Sequence, residues 1–290
     1  MVKILVTGAE GQLGSEINAI ANQYHDFQFF FTDINELDLT DKVALDDFVE
    51  NVKPDYLVNC AAYTAVDVAE RDTELAGLLN TKVPGWIGKL AVAYNFKVIH
   101  ISTDYVFDGT SYTPYTENDL VNPESFYGKS KLNGEIALLK ESKSAMVIRT
   151  SWLYSATGKN FLKTMIKLGL ERDEVKVVND QIGTPTFAGD LAQAILTIIS
   201  KTENKECLWK PGIYHYSGEG VCSWYDFAKS IHEIYEINCN VRPIPTEDYP
   251  TPAVRPAYSV LNKSKIKRIF GIQIPYWRDS LKKCIVQIKK

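Results

Sequence analysis

The first fourteen residues constrain this chain more than any other stretch. Lys3–Thr7, KILVT, is a short apolar run, the pattern of a strand buried on both faces. GAEGQLG follows at 8–14, with Gly8, Gly11 and Gly14 spaced by three, and then the helical pattern SEINAIANQ. A strand that ends in a glycine-rich turn and opens directly into a helix is compatible with few folds. The glycines let the backbone turn tightly and approach a pyrophosphate, whose charge then sits at the helix N-terminus. The reading is an α/β protein with a Rossmann-type doubly wound parallel sheet whose first turn holds a dinucleotide.

The rest of the first half continues the alternation. Phe27–Thr32 is the second strand and Asp33 stands at its end. A carboxylate there accepts hydrogen bonds from an adenosine ribose and repels the extra phosphate of NADP, which favours NAD. Asp41 is placed to cap a helix running to Val52. Asp55–Ala62 is the third strand, ending in small residues that let backbone lie against a cofactor. TAVDVAE at 64–70 leads into helical sequence through Tyr94. Lys97–Thr103 is the fourth strand, which puts Ser102 and Thr103 at the ligand edge of a parallel sheet. Ala145–Trp152 is the fifth and ends at the same edge.

Between these last two strands, after a loop containing Pro114 and Pro123, lies SFYGKSKLNGE at 125–135. It sets Tyr127 four residues before Lys131, so a helix carries both on one face, one turn apart. A phenol keeps its proton to a pH of about 10, and a nearby ammonium stabilises the phenolate, so the pair can exchange a proton with a substrate oxygen. Tyr225 and Lys229 repeat the spacing. They sit in a late amphipathic helix with no strand delivering them to a crevice, which reads as packing plus a solvated lysine.

After residue 152 the alternation loosens. Helices are expected at 160–172 and 187–200, and strands at 175–181 and 212–218, before a proline- and aromatic-rich region from Pro243 to Pro256. The expected division is a dinucleotide-binding domain of residues 1–152, with 183–217 returning to it. Residues 153–182 and 218–290 would form a smaller C-terminal α/β substrate lobe.

Composition excludes several classes. A net charge of −4 and pI near 5.7 argue against a nucleic-acid or membrane surface. No apolar run approaches the ~18 residues of a bilayer span. Five scattered cysteines without a CxxC pair suggest reduced thiols in a cytoplasmic protein, and four dispersed histidines give no metal-site spacing.

Taken together, GAEGQLG, STDYVFDG and the Tyr-Gly-x-x-Lys helix resemble the extended short-chain dehydrogenase/reductases. NCAAYTAVDVAE, RTSWLY, NDQIGTPT and YPTPAVRPAYSVLN narrow the likeness to the dTDP-4-dehydrorhamnose reductase family, over residues 3 to about 281. That resemblance implies hydride delivery from NADPH or NADH, with dual use expected, to C4 of a dTDP-linked 4-keto-6-deoxyhexose, a step towards rhamnose for cell-surface polysaccharide. It implies that Thr103 orients the ketone and that Tyr127 donates the proton. Lys131 would hold the nicotinamide ribose and lower the tyrosine pKa. Gly11, Gln12, Leu13, Asp33, Asp38, Leu39, Ala61, Ala62 and Tyr63 would line the cofactor, and Asp104, Trp152 and Arg255 the substrate.

Some relatives bind magnesium through acids at a dimer contact. Glu16 is present here, but no acid clearly follows Pro185-Thr186, so no metal is expected. The implied partners are a nucleotide sugar and, as an open possibility, a second copy of the chain. A nucleotide-sugar dehydratase would need Asp-Glu after the strand-end threonine, whereas this chain has Asp104 and Tyr105, and a phenol cannot replace that carboxylate. A regulatory subunit of the methionine adenosyltransferase type, or another nucleotide-sugar reductase or epimerase, shares the fold and stays open as an alternative.

Overall fold

The computed structural model describes residues 1–289. Its central sheet grows from alternation that serves two cores at once. In β1 (Val2–Thr7), Ile4 and Val6 face one side while Leu5 faces the other. β3 (Tyr56–Asn59) and β5 (Met146–Thr150) repeat the division, with Tyr56, Val58, Met146 and Ile148 on the first side and Leu57 and Val147 on the second. Successive side chains of a strand point to opposite faces, so a strand apolar at every position must be covered twice. The helices supply that cover. α1 (Gln12–Ala21) and the helix Ala188–Glu203 close one face, and α2 (Lys42–Val52), Val83–Ala93 and Phe126–Glu141 close the other.

With β2 (Phe27–Thr32), β4 (Lys97–Thr103) and the edge strand Gly212–His215, the sheet has six strands. The order is β2–β1–β3–β4–β5 followed by the edge strand, and every pairing is parallel. The chain reverses its direction of travel across the sheet between β1 and β3. In open parallel sheets a crevice forms beyond the carboxyl ends at such a point.

A second core joins the helices Phe161–Glu171, Trp224–Tyr235 and Trp277–Ile288 through Leu162, Met165, Phe227, Ile231, Trp277 and Leu281. A short parallel pair, Glu174–Val178 with Asn240–Ile244, extends this part. The helix Ser264–Phe270 belongs elsewhere, since Ile266 and Phe270 pack into the first core.

Local expectations are met closely where strong signals act. Asp41 caps α2 by accepting from the Val43 and Ala44 amides, at 2.9 and 3.1 Å. β3 is shorter than expected, ending at Asn59 rather than Ala62, because Asn59 turns its side chain onto Thr7 and the Ala61 amide. β5 stops at Thr150, and Trp152 adopts a left-handed φ of 48°. After a short helical turn at Val66–Ala69, one continuous helical stretch runs from Thr73 to Ala93, with a π-helical segment at Leu78–Lys82. All five cysteines are free. No helix among the described residues is long and apolar enough to cross a membrane.

Candidate active site

A cleft of about 950 Å³ opens along the carboxyl edge of the sheet, between β1 and the second core. The glycine-rich turn forms one end. Gly8 has φ +70°, and a Cβ there would stand 2.7 Å from the Ala61 amide nitrogen, so no other residue fits this crossing. Gly11 caps α1, and Gln12 and Leu13 in its first turn line the cleft. Gly14 does not line it. A Cβ there would run into the Gly8 carbonyl, so this glycine lets helix and turn pack together.

At the end of β2, Asp33 accepts from the Glu10 and Ile34 amides, both at 2.8 Å, which holds its carboxylate at the mouth of the cleft. Asp38 accepts from the Thr40 amide and hydroxyl, and Leu39 and Ala61–Ala62 form the adjoining wall. Tyr63 is turned away. Its amide donates to Asn80 and its hydroxyl to Asp72, and it lines no part of the cleft.

The centre is built by β4, β5 and the helix Phe126–Glu141. Ser125 caps that helix by accepting from the Gly128 amide, and Glu70 accepts from the Phe126 amide at 2.7 Å. These two side chains satisfy amides that the first helical turn leaves free, and so fix where Tyr127 emerges. The Tyr127 ring meets Tyr105 edge-on at 5.5 Å. The Thr103 hydroxyl donates to Asp104 Oδ1 at 3.0 Å and accepts from the Tyr105 amide. Lys131, 2% exposed, donates its ammonium to the Ile101 carbonyl at 2.6 Å.

Electrostatics here are set by burial. Desolvation pushes the Tyr127 phenol above its ordinary range, and the nearby Thr103 side chain offsets part of that. Burial likewise pushes Lys131 down to about 8, with Glu135 opposing it. The Tyr–Lys spacing predicts a phenol made more acidic by its lysine. Desolvation instead raises its pKa, and the Lys131 ammonium donates to the Ile101 carbonyl. Asp104 is pushed up to about 6 by the same cause.

Behind this face lies a buried ion pair. Arg149 donates to both oxygens of Glu135, at 2.7 Å from Nη2 and 2.9 Å from Nε, and Ser102 donates to Glu135 at 2.5 Å. At the rim, Arg255 donates to Asp67 at 2.8 Å and to the Tyr105 hydroxyl at 3.1 Å. Trp152 stacks on Trp224 with ring centres 3.6 Å apart.

Thr103, Asp104, Tyr127, Lys131, Trp152 and Arg255 therefore share one cleft with the glycine turn, Asp33, Asp38 and Leu39. Tyr225 packs beside the second core and Lys229 is exposed, so the repeated spacing builds no site. Sequence reasoning missed Thr150, Asn160 and Trp224, which also line the cleft. Asn160 donates to Gln12 and caps the helix after it, and an Asn before an apolar helix was a readable cap. Trp224 carried no such signal, being one aromatic among many.

The expectation about acids near Glu16 needs refining. Glu16 is buried beside Asp190, which with burial raises its pKa, and Ser280 donates to Asp190. Among the described residues no cluster of three or more His, Cys, Asp or Glu is arranged to hold a metal.

The comparisons with known proteins fall in line with this geometry. The model of the RmlD substrate binding domain family matches residues 2–290. A dTDP-4-dehydrorhamnose reductase of Aggregatibacter actinomycetemcomitans is 41% identical over 288 residues, covering 97% of this chain and 98% of its own. The crystal structure of a dTDP-4-dehydrorhamnose reductase from Clostridium acetobutylicum superposes with a TM-score of 0.93 at 41% identity, covering all of both chains. One from Bacillus anthracis, in complex with NADP, gives 0.93 at 36% identity, covering 99% of this chain and all of its own. Likeness of this extent, on a chain whose cleft gathers the glycine turn, the strand-end threonine and the Tyr–Lys helix, places the protein in the dTDP-4-dehydrorhamnose reductase family.

Proposed function

We propose that this chain reduces the C4 ketone of dTDP-4-dehydro-L-rhamnose to dTDP-L-rhamnose, with Tyr127 as proton donor. The observation that carries the reading is the meeting of buried Thr103 and Lys131 with half-buried Tyr127 on one face at the carboxyl edge of the sheet, beside the glycine turn.

The turn suits a dinucleotide. Its glycines keep the turn tight against Ala61 and the start of α1, the first amides of α1 are free, and Asp33 stands where a ribose diol would lie. A reduced nicotinamide supplies the hydride when bound. The chain's own residues do the rest. The Thr103 hydroxyl and the Tyr127 phenol address the ketone oxygen from one side. The phenol, held protonated by burial at neutral pH, gives its proton as negative charge develops on that oxygen. The Lys131 ammonium, one turn below, stabilises the resulting phenolate and is placed to bind a ribose hydroxyl. Residues 153–182 and 218–289, apart from the helix Ser264–Phe270 that packs into the first core, form the lobe that receives the nucleotide sugar, and Arg255 takes its diphosphate after exchanging its bond to Asp67.

NADH and NADPH both serve. Asp33 favours the unphosphorylated ribose, and the cations lining the cleft are Lys131, Lys159 and Arg255, none of them bonded to Asp33. Its carboxylate already accepts two backbone amides, which lowers its repulsion of a 2′-phosphate.

The test is turnover. Mixing the protein with dTDP-4-dehydro-L-rhamnose should consume NADPH and NADH, with kcat/KM values within about tenfold of each other. Binding of cofactor without turnover would instead assign a regulatory role.

A further inference from the structure

One residue of the cleft touches both Thr103 and Tyr127. Tyr105 sits in the short 3-10 turn Asp104–Val106 that leaves β4, and it lines the cleft. Its amide donates to the Thr103 hydroxyl at 3.2 Å. Its carbonyl packs on the start of the helix Phe126–Glu141, where a Cβ on Gly128 would run into the oxygen. Its ring meets Tyr127 with centres 5.5 Å apart and planes at 78°, and is the one aromatic partner of Tyr127 among the described residues. Its hydroxyl accepts from Arg255 Nη1 at 3.1 Å, and Arg255 is held in turn by Asp67 at 2.8 Å.

This arrangement answers a problem that a proton donor poses. The Tyr127 hydroxyl has to stay free for the ketone oxygen, so a fixed bond at that atom is not what aims it. The Thr103 hydroxyl beside it gives its own proton to Asp104 Oδ1 at 3.0 Å. Aim then depends on the ring, and an edge-on contact between aromatic rings holds a preferred angle that a flexible aliphatic side chain does not. Tyr105 also sets the two ketone-facing groups relative to each other. One residue supplies the amide for Thr103, the carbonyl against Gly128 and the ring against Tyr127. Placement matters here because a shift of about 1 Å at a reacting group can cost ~10²-fold in rate.

We propose that Tyr105 is a positioning residue that sets the Tyr127 phenol at the ketone oxygen through its ring, with Arg255 steadying its hydroxyl end. The proposal rests on the reductase reading above and adds to it the group that aims the proton donor. In this role Tyr105 exchanges no proton.

Tyr105→Leu removes the ring and should lower kcat by about ten- to a hundredfold, with NADPH affinity by calorimetry within about twofold of wild type. Tyr105→Phe keeps the ring and should hold kcat within about threefold of wild type. In a Tyr127→Phe background, Tyr105→Leu should lower kcat by less than about twofold more, because no proton donor is left to aim. A direct readout needs no turnover. In the unliganded protein, NMR of labelled tyrosine should find Tyr127 in one side-chain rotamer in wild type and Tyr105→Phe, and averaging among rotamers in Tyr105→Leu. Equal losses of kcat in the Phe and Leu variants would overturn the proposal, since the hydroxyl would then be a substrate contact. So would full additivity with Tyr127→Phe, or a single Tyr127 rotamer in Tyr105→Leu. A wild type that turns over no keto sugar, yet holds Tyr127 in one rotamer that Tyr105→Leu releases, would fault the reductase reading and leave the positioning role standing.

Discussion

Tyr127 and Lys131 hold their places at opposite energetic cost. The phenol is uncharged and tolerates burial, whereas the ammonium is desolvated and answered by one carbonyl. Tyr127→Phe should lower kcat by about 10²-fold or more, the span of a general acid, with cofactor affinity little changed. Tyr225→Phe serves as the matched control, and steady-state kinetics on both decides the matter. Lys131→Met should weaken cofactor binding yet stabilise the unliganded fold. Below pH 8 the folded and unfolded chains both carry the lysine proton, and wild type bears the full desolvation of its ammonium. Between about 8 and the ordinary 10.5 the folded chain releases the proton first, so wild-type stability rises with pH. The variant should therefore exceed wild type by on the order of 2 kcal/mol at pH 7, after loss of the bond to Ile101. The gap should close towards pH 10.5, as read by urea denaturation.

Among the elements, the helix Phe126–Glu141 depends most on groups outside itself. Glu70 and Ser125 hold its start, and the Glu135–Arg149 pair ties its middle to β5 with both side chains almost fully enclosed. Arg149→Leu would strand the Glu135 carboxylate with Ser102 as its remaining partner and should cost about 3–5 kcal/mol of unfolding free energy. The double variant with Glu135→Leu should recover most of that loss in the same denaturation experiment. Local signals made much of this element order readable beforehand. Lys97–Thr103 is bounded as its apolar run implied, and Asp41 caps α2 as its position implied. What could not be read depends on partners distant in the chain. Nothing near Thr64–Tyr94 announces a π-helical segment, and nothing near Trp152 announces its left-handed backbone. The Trp152 ring there stacks on Trp224 and lies against Gly183.

For the whole molecule, the path of the chain couples the two cores. After building much of the second core, the chain returns to place Ile266 and Phe270 beneath the sheet, then leaves again for the helix Trp277–Ile288. A fragment of residues 1–217 should therefore lack a fixed tertiary structure, with far-UV dichroism retained and near-UV dichroism lost. A sharp near-UV spectrum from that fragment would show that the sheet closes its core without these residues. The same distance effect explains why the cleft was half legible. The glycine turn, Asp33 and the Tyr–Lys face carry their chemistry within a few residues, whereas Thr150 and Trp224 acquire theirs only when β5 and the second core meet.

The stacked indoles of Trp152 and Trp224 give the cleft a property unrelated to binding or catalysis. Two such chromophores face to face at 3.6 Å, with planes 10° apart, share their electronic excitation rather than absorbing independently. One belongs to the loop after β5 and the other opens a helix of the second core. The protein thus has a native optical ruler spanning its two halves, at the place where their separation matters most.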